Sequence, residues 1–385
     1  MQSSAEIANM RQLRFEDWMP KVGRIDDRNN TLLVIKCVHE MQEESVMKLI
    51  ASHWDDHGEE VCLDGLNIAP AESTALVEFI SHITNLHKLK MTNCMMEHLA
   101  FREFIKLLMK ENENCQLTEL LLNKNKLTDE DAKSLSNALI SDKCKLTELD
   151  IRFNNLTHEG AKHLSDALIS EKCKLTELNI EGNNLKDQGA KCLSIALMSD
   201  KCKLTGLDIG RNDLTDEGVE HLCVALMSDK CELTELNIRA NNLTNASPKH
   251  LSDALMSDKC KLTKLDISYN NLTGKCAIKP LSTALSDALM SDNCKLTKLY
   301  INHNNLTDEY AKHLSDALMS DNCKLIKLDI SYNNLTDTGA KYLSEALMND
   351  KCKLTELDIK GNNLRAKRDA VHSNLRKFNS WSALN

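Results

Sequence analysis

The sequence predicts an α/β solenoid, in which one small strand–turn–helix unit stacks on copies of itself. The first observation is a leucine-rich phrase that recurs nine times between Cys115 and Leu364. The second is that apolar residues in each copy alternate with polar ones, as in a strand, and then recur at helical spacing. A fixed period indicates a repeat architecture, which offers a long surface rather than a pocket. The default role of such a surface is to hold another macromolecule.

A cysteine opens each copy and sets the period. Successive cysteines are 29 residues apart, except for one step of 34. The long step precedes Cys294 and doubles the segment Leu-Ser-x-Ala-Leu, so we expect one lengthened or bulged helix there. The nine are Cys115, Cys144, Cys173, Cys202, Cys231, Cys260, Cys294, Cys323 and Cys352.

The start of the helix in each copy is marked by a capping residue. Threonine is a natural N-cap, as at Thr157. Acidic residues often follow it, such as Asp216 and Glu217, and their charge suits the positive end of the helix dipole. In one copy we expect Ser247 to be the N-cap and Pro248 the first helical residue, so that this helix starts later.

An asparagine occupies the turn after every strand. Where the chain leaves the strand inside a stack, backbone N–H and C=O groups lose their ladder partners, and a buried carboxamide can replace both. We therefore expect these side chains to be buried and bonded to the backbone. The column is Asn125, Asn154, Asn183, Asn212, Asn241, Asn270, Asn304, Asn333 and Asn362.

The pattern L-x-x-L-x-L-x-x-N-x-L resembles that of leucine-rich repeats. The repeat length and the full helix resemble the ribonuclease-inhibitor-like subtype, which includes the repeat domains of NOD-like receptors. The resemblance implies a horseshoe with parallel strands on the concave face and helices on the convex face. Weaker copies come first, with Cys94 and Leu66 in the asparagine slot, and are expected to cap the stack.

Within this subtype, the N-terminal segment favours a resemblance to NOD-like receptors over one to ribonuclease inhibitor. Val34–Glu44 resembles the helical segment that joins their nucleotide-binding half to their repeats. The sequence has no G-x-x-x-x-G-K-[ST] phosphate loop, so the resemblance implies a receptor's C-terminal half without the nucleotide-binding domain. We expect a helical segment at 1–58, degenerate capping repeats at 59–114, nine repeats at 115–364 and a basic C-terminal cap at 365–385.

Composition narrows the partners and the compartment. The net charge is −9 and no polybasic run occurs, which disfavours nucleic acid and anionic membranes. No apolar stretch approaches the roughly 20 residues of a membrane span. Fifteen cysteines without a signal peptide indicate a reducing compartment, the cytoplasm. Because no pair has C-x-x-C spacing, we interpret the cysteine column as small buried apolar residues rather than a metal or disulfide ladder.

No catalytic motif or cofactor site is apparent, and we predict that the chain is not an enzyme. A polar column does run through the strands, and paired carboxylates can do acid–base chemistry. This column lies in an open sheet, which disfavours catalysis. Its members are Asp150, Asn179, Asp208, Asn237, Asp266, Asp329 and Asp358.

Differences between the copies concentrate at strand positions that face the concave side. Helix positions scarcely change, which favours recognition over drift at unconstrained sites. The face is expected to be acidic in its first half and mixed to basic later, with Phe153, Tyr269, Tyr300 and Tyr332 as anchors. We predict that it binds a protein or a microbial or danger ligand through Glu148, Arg152, Phe153, Glu177, Glu181, Arg211, Arg239, Lys264, Tyr269, Lys298, Tyr300, His303, Lys327 and Tyr332.

The leading hypothesis is a recognition module of innate immunity that resembles NOD-like receptors. One alternative is a cytosolic enzyme inhibitor resembling ribonuclease inhibitor, which engages basic enzymes through an acidic face; Lys264, Lys298 and Lys327 weaken that case. Another is a GTPase-activating protein resembling the Ran regulators, which carry an acidic tail, whereas this sequence is basic from Arg365 to Lys377.

Overall fold

A computed structural model describes residues 28–41, 44–55, 60–83, 85–109, 116–244, 246–272 and 281–364. The chain forms two compact units, Met1–Asn154 and Asn155–Asn385. The C-terminal cap expected at 365–385 and residues 273–280, which precede the doubled Leu-Ser-x-Ala-Leu segment, lie outside the described residues. Within the described ranges, no helix combines the length and the apolarity that crossing a membrane requires.

The described part of the first unit starts with two helices and continues into parallel strands. Strands β1, β3, β5 and β6 pair in that order, and β2 pairs with β4. The helices are α1 (Arg28–Met41), α2 (Glu44–Asp55), α3 (Pro70–Ser81), α4 (His98–Ile105) and α5 (Asp129–Leu139). The strands are β1 (Glu60–Asp64), β2 (Asn67–Ile68), β3 (Lys88–Thr92), β4 (Met95–Met96), β5 (Glu119–Leu121) and β6 (Glu148–Asp150).

The second unit is a run of short parallel strands, each followed by a helix except the last that the structure describes. Every strand pairs in register with the next along the chain. The strands are β7 (Glu177–Asn179), β8 (Gly206–Asp208), β9 (Glu235–Asn237), β10 (Lys264–Asp266), β11 (Lys298–Tyr300), β12 (Lys327–Asp329) and β13 (Glu356–Asp358). The helices are α6 (His158–Leu168), α7 (Lys186–Leu197), α8 (Asp216–Leu226), α9 (Ser247–Leu255), α10 (Leu281–Leu289), α11 (Asp308–Leu318) and α12 (Asp337–Leu347).

The core of the second unit lies between its sheet and its helices. The central leucine of each strand, such as Leu207, is buried together with the isoleucine that follows, such as Ile209. Alanine and leucine from the helices close the other side, as Ala225 and Leu226 do. Most cysteines of the repeat slot are buried, and burial raises the pKa of the Cys231 thiol to about 11. These thiols therefore act as small apolar side chains, as the sequence predicts.

The asparagine column forms a continuous ladder of backbone bonds, which confirms its predicted role. Asn241 Oδ1 accepts the backbone N–H groups of Asn212 and Leu214 at 2.9 and 3.0 Å. Its Nδ2 donates to the carbonyl oxygens of Ile238 and Ile209 at 3.0 and 3.3 Å. Each carboxamide thus satisfies turn groups of its own repeat and of the preceding one. The same pattern recurs at Asn270, Asn304 and Asn333.

An aspartate in the first turn of a helix binds the next repeat, a contact that the sequence did not reveal. Asp187 Oδ1 accepts the N–H groups of Thr215 and Gly218 at 2.8 and 3.0 Å. Its Oδ2 accepts the hydroxyl of Thr215 at 2.8 Å. Asp308 accepts the same three bonds from Thr336 and Gly339 of the repeat that follows it. We call this arrangement the aspartate clamp; it satisfies exposed donors at the start of the following helix.

The start of α9 corrects one expectation. The helix does begin late, at Ser247, but Ala246 is the N-cap and Ser247 is the first helical residue. The reason is the aspartate clamp, because both the N–H and the hydroxyl of Ser247 donate to Asp216 Oδ1. The hydroxyl therefore cannot cap its own helix. The described part of α10, Leu281–Leu289, is nine residues long and is not longer than its neighbours.

Candidate functional site: the exposed sheet face of the second unit

The polar column in the strands has a structural role. We call it the Asp/Asn row: Asn179, Asp208, Asn237, Asp266, Tyr300, Asp329 and Asp358. Apart from Tyr300, each side-chain oxygen accepts the backbone N–H two residues further on at 2.9–3.0 Å. Such local turns need only an oxygen at this position, which explains why Asp and Asn interchange along the row.

Several carboxyl groups on this face are poorly solvated. Burial raises the pKa of Asp208 to about 6, and a bond from Gly210 N–H only partly opposes it. Burial also raises the pKa values of Asp266 and Glu177. Asn237 Nδ2 donates to Asp208 Oδ2 at 2.8 Å. Strands β7–β10 therefore present carboxylates whose negative charge is only partly compensated.

Glu181 corrects the predicted set of exposed contacts. Its residue exposure is 6%, so it is buried. Its Oε1 lies 3.2 Å from Arg211 Nε and 3.5 Å from Arg239 Nε. The carboxylate is enclosed by the two guanidinium groups. Glu181 therefore positions the arginines and is not itself available to a partner.

A second row of the face has left-handed backbone in every repeat. We call it the left-handed row; it comprises Gly182, Arg211, Ala240, Tyr269, His303, Tyr332 and Gly361, with φ between 52° and 68°. L-residues rarely adopt this conformation, which costs about 1 kcal/mol or more for a bulky side chain. Gly182 and Gly361 avoid that cost. The large aromatic residues elsewhere in the row therefore need another reason, and strained positions concentrate at functional sites.

Three of these aromatic residues form one continuous stack. The ring centroids of Tyr269 and His303 are 4.0 Å apart, and those of His303 and Tyr332 are 4.4 Å apart. The rings are within 16° and 12° of parallel. The Arg239 guanidinium lies 5.7 Å from the Tyr269 ring centroid at one end. At the other end, a Cβ on Gly361 would lie 2.4 Å from Tyr332 Cδ1, so only glycine leaves room for the ring. We call Tyr269, His303 and Tyr332 the aromatic stack.

The aromatic stack is a partly exposed part of the sheet face. Tyr269 and Tyr332 are 45% and 47% exposed. Burial lowers the pKa of His303, which favours the neutral imidazole at neutral pH. Ring faces contact one another, so ring edges, hydroxyls and an imidazole nitrogen are what a ligand meets. Aromatic side chains with few rotamers lose little entropy on binding, which suits them to be interface anchors.

The predicted lysines are not equivalent. Lys264 Nζ lies 2.7 Å from Glu235 Oε2, and Lys327 Nζ lies 2.7 Å from Glu356 Oε2. Lys298, on the strand between them, is exposed and has no ion pair among the described residues. The later half of the face is therefore less basic than the sequence indicates, and its free positive charge is concentrated at β11.

Tyr300 departs from the pattern of its row. A tyrosine ring cannot supply the oxygen that accepts the N–H two residues on. Lys327 Nζ lies 5.9 Å from its ring centroid, and Asp266 and Asp329 flank it on neighbouring strands. The Asp/Asn row therefore lacks one of its side-chain-to-backbone bonds on β11, the strand that carries the unpaired Lys298.

The Tyr300→Asn variant is expected to be more stable than Tyr300→Ala. The new carboxamide oxygen would accept the N–H of Asn302, as Asn179 and Asn237 do for their strands, contributing about 0.5–1 kcal/mol. Urea unfolding would measure the difference from Tyr300→Ala, which removes the ring without adding an acceptor. Equal stability of the two variants would contradict this role of the Asp/Asn row.

The remaining predicted residues lie in the first unit. Glu148 is half-buried on β6. Arg152 Nε lies 3.2 Å from Asp150 Oδ2. Phe153 is 39% exposed, has a φ of 55°, and lies under Lys124 Nζ, 5.9 Å from its ring centroid. Phe153 thus has the backbone conformation of the left-handed row and a neighbouring cation, as Tyr269 has.

The helices carry an apolar surface that sequence reasoning missed. Ile195 on α7 and Val224 on α8 are 58% and 47% exposed. Ile195 also borders a cavity of about 460 Å³, whose other lining residues are mostly polar or charged, such as Glu159 and Lys162. The signal was present, because Ser-Asp-Ala-Leu becomes Ser-Ile-Ala-Leu and Cys-Val-Ala-Leu in these two copies. In the part of the chain that the structure describes, no group of three His, Cys, Asp or Glu residues could hold a metal ion.

Comparison with known proteins identifies the repeat. A family model for a leucine-rich repeat matches residues 113–136, 142–165, 171–194, 200–223, 258–279, 292–309 and 321–344. An internalin (inlF) from Listeria monocytogenes has a similar structure, with a TM-score of 0.48, 16% sequence identity, and coverage of 92% of this chain and 95% of that chain. No curated protein matches the sequence. The matched segments and the repeated strand–helix units make this chain a leucine-rich repeat protein with an α/β solenoid fold.

Proposed function

We propose that the chain is a non-enzymatic recognition module that binds a partner protein on the exposed sheet face of its second unit. The aromatic stack carries this proposal. Left-handed backbone disfavours bulky residues, and glycine serves at the same position in two repeats. Three large rings nevertheless occupy consecutive repeats and remain partly exposed. A binding role explains both their cost and their exposure.

The wider setting that we propose is innate immune sensing or its regulation. The support is the likeness of the repeat and of Val34–Glu44 to NOD-like receptors. The cysteines that the structure describes are free thiols, which suits a reducing compartment and the cytoplasm. We favour this over an inhibitor of a basic enzyme because Lys298 gives the face an unpaired positive charge at β11.

Affinity purification tests the proposal. The wild-type chain and a triple variant, Tyr269→Gly, His303→Gly and Tyr332→Gly, would be used to capture partners from cytosol for mass spectrometry. Glycine is chosen because Gly182 and Gly361 show that the fold accepts it in this row. We expect a partner that the wild type retains and the variant loses, since hot-spot anchors contribute about 2 kcal/mol or more each.

A matched control separates the two faces of the solenoid. Ile195→Ala, Val224→Ala and Met348→Ala remove three exposed apolar side chains from the helices instead. This variant is expected to retain the partner. Circular dichroism would confirm that both triple variants are folded. Loss of the partner by the helix variant alone would move the interface away from the sheet.

A further inference from the structure

The lysines of the face form a row across three neighbouring strands. Lys264 pairs in register with Lys298, and Lys298 with Lys327. Adjacent strands are about 4.8 Å apart, so like charges at these positions repel one another. The outer two lysines are neutralised by carboxylates on their far sides, Glu235 and Glu356. Lys298 lies between them, next to the ammonium groups of both ion pairs and without a carboxylate partner of its own in the part of the chain that the structure describes.

The strand of Lys298 also lacks the carboxylate that its neighbours have. On β10, β12 and β13 the Asp/Asn row supplies Asp266, Asp329 and Asp358, whereas β11 has Tyr300. Lys360, at the far end of the face, shows what such a carboxylate does, since its Nζ lies 2.8 Å from Asp358 Oδ2. Tyr300 therefore leaves Lys298 without a compensating charge on its own strand.

The two flanking aspartates are engaged within their own strands. Asp266 Oδ1 accepts both the N–H and the hydroxyl of Ser268, at 2.9 and 2.6 Å. Asp329 Oδ1 accepts the same two groups of Ser331, at 3.0 and 2.6 Å. Each hydroxyl bond holds its carboxylate toward the turn. Among the described residues no carboxylate pairs with Lys298, so we expect a partner to supply the anion that compensates it.

The aromatic stack lies beyond the C-terminal end of the same strand, since β11 ends at Tyr300. His303 follows Lys298 by five positions along the chain. The left-handed backbone at His303 makes that separation shorter than five fully extended residues, so an extended partner segment covers it with at most about five residues, at about 3.3 Å per residue. A partner segment crossing this part of the face would meet Lys298, then the Tyr300 ring, then the edges of the stack.

The charges on the rest of the sheet face determine where a partner's carboxylate binds. Strands β7–β9 carry Glu177, the enclosed Glu181 and Asp208, against Arg211 and Arg239. Two guanidinium groups offset most of the negative charge there, so a partner's carboxylate gains less at β7–β9 than beside the unpaired Lys298 of β11. Such complementarity fixes register and discriminates among partners more than it adds affinity.

Resting on the proposed function, we infer that the sheet face recognises an acidic segment of a partner protein. A carboxylate side chain of that segment binds Lys298, and an apolar side chain at most about five residues away packs on the aromatic stack. Tyr300 forms the floor between the two. Lys298 therefore makes the face prefer acidic over basic partner segments, and the aromatic stack supplies most of the affinity for the segment.

A random peptide library displayed on phage, selected against the full chain, tests this inference. Peptides enriched by the wild type are expected to contain Asp or Glu and an apolar residue at the stated spacing, and rising salt should weaken their binding. Lys298→Glu should weaken the best peptide by about ten-fold or more. The control is Lys312→Glu, an equal charge change at an exposed position on α11, which should change binding by less than about two-fold.

The outcomes distinguish the two proposals. Enrichment of neutral or basic peptides, no enrichment, or equal effects of Lys298→Glu and Lys312→Glu would overturn the acidic-segment inference. If the glycine variant of the stack then still abolishes capture of the partner, the sheet face remains the binding surface and only its charge preference is wrong. If neither the stack variant nor Lys298→Glu affects binding, both proposals fail.

Discussion

Replacing Asn241 with alanine is expected to destabilise the protein by about 3 kcal/mol or more, because several buried backbone groups lose their partners at once. The N–H groups of Asn212 and Leu214 would lose an acceptor. The carbonyl oxygens of Ile209 and Ile238 would lose a donor. Asn241 is 7% exposed, so water cannot readily take over these bonds. Denaturant unfolding monitored by circular dichroism measures the loss.

The next residue in the chain is the matched control. Asn242 is also an asparagine in the turn, but its side chain is exposed. Asn242→Ala removes the same atoms and is expected to cost less than about 0.5 kcal/mol. Similar losses for the two variants would mean that the ladder of carboxamides is not what stabilises the stack.

Replacing Asp216 with alanine is expected to cost about 2–3 kcal/mol, since it opens one aspartate clamp. Asp216 accepts the N–H groups of Thr244 and Ser247 at 2.9 and 3.1 Å and both of their hydroxyls. The neighbouring Glu217 is the control. It has the same charge in the same helical turn but makes only a distant pair with His221, at 4.0 Å. A helix-dipole effect alone would make the two substitutions similar, at about 0.5 kcal/mol each.

The clamp also predicts a dependence on pH. Burial acts to raise the pKa of Asp216, but the bonds from Ser247 and Thr244 outweigh it and hold that pKa below its ordinary value. The ionised form is therefore favoured in the folded state. Its stabilising contribution is present above the ordinary pKa of an aspartate and is lost as the pH falls through the lowered value. The difference in stability between wild type and Asp216→Ala should shrink over that acidic range; a constant difference would contradict the clamp.

The repeat itself was predictable because its physics is local. Alternation around Leu149 and Ile151 indicates a strand, and helical spacing from Ala161 to Leu168 indicates a helix. The buried asparagine followed from counting backbone groups that a turn leaves unpaired. Each of these inferences needs only one copy of the repeat. The regular period then supplies the parallel sheet.

Contacts between neighbouring repeats were not predictable from one copy. Asp216 lies in the first turn of its own helix, as expected, but its oxygens also bind the helix of the next repeat. Glu181 was expected on the exposed face, and two arginines from different repeats enclose it. Both contacts were missed for the same reason, because the sequence gives the position of a side chain along the chain but not its direction across the stack.

The candidate site was predictable in composition but not in geometry. Variation on the strand face pointed to Tyr269, His303 and Tyr332 individually. These three rings form one stack because left-handed backbone in each repeat brings each ring against that of the next repeat. The sequence also pointed to three lysines as equivalent, yet Glu235 and Glu356 form ion pairs with two of them. Of the three, Lys298 alone has no ion pair among the described residues.

The central claim is that the sheet face, and not the helices, binds the partner. Hydroxyl-radical footprinting of the complex with the captured partner tests it without any mutation. Tyr269 and Tyr332 report on the sheet, and Ile195 and Met348 report on the helices; all four are well exposed in the free protein. We predict that the partner lowers oxidation of the two tyrosines and leaves Ile195 and Met348 unchanged. Protection of Ile195 and Met348 with unaltered tyrosines would contradict the account.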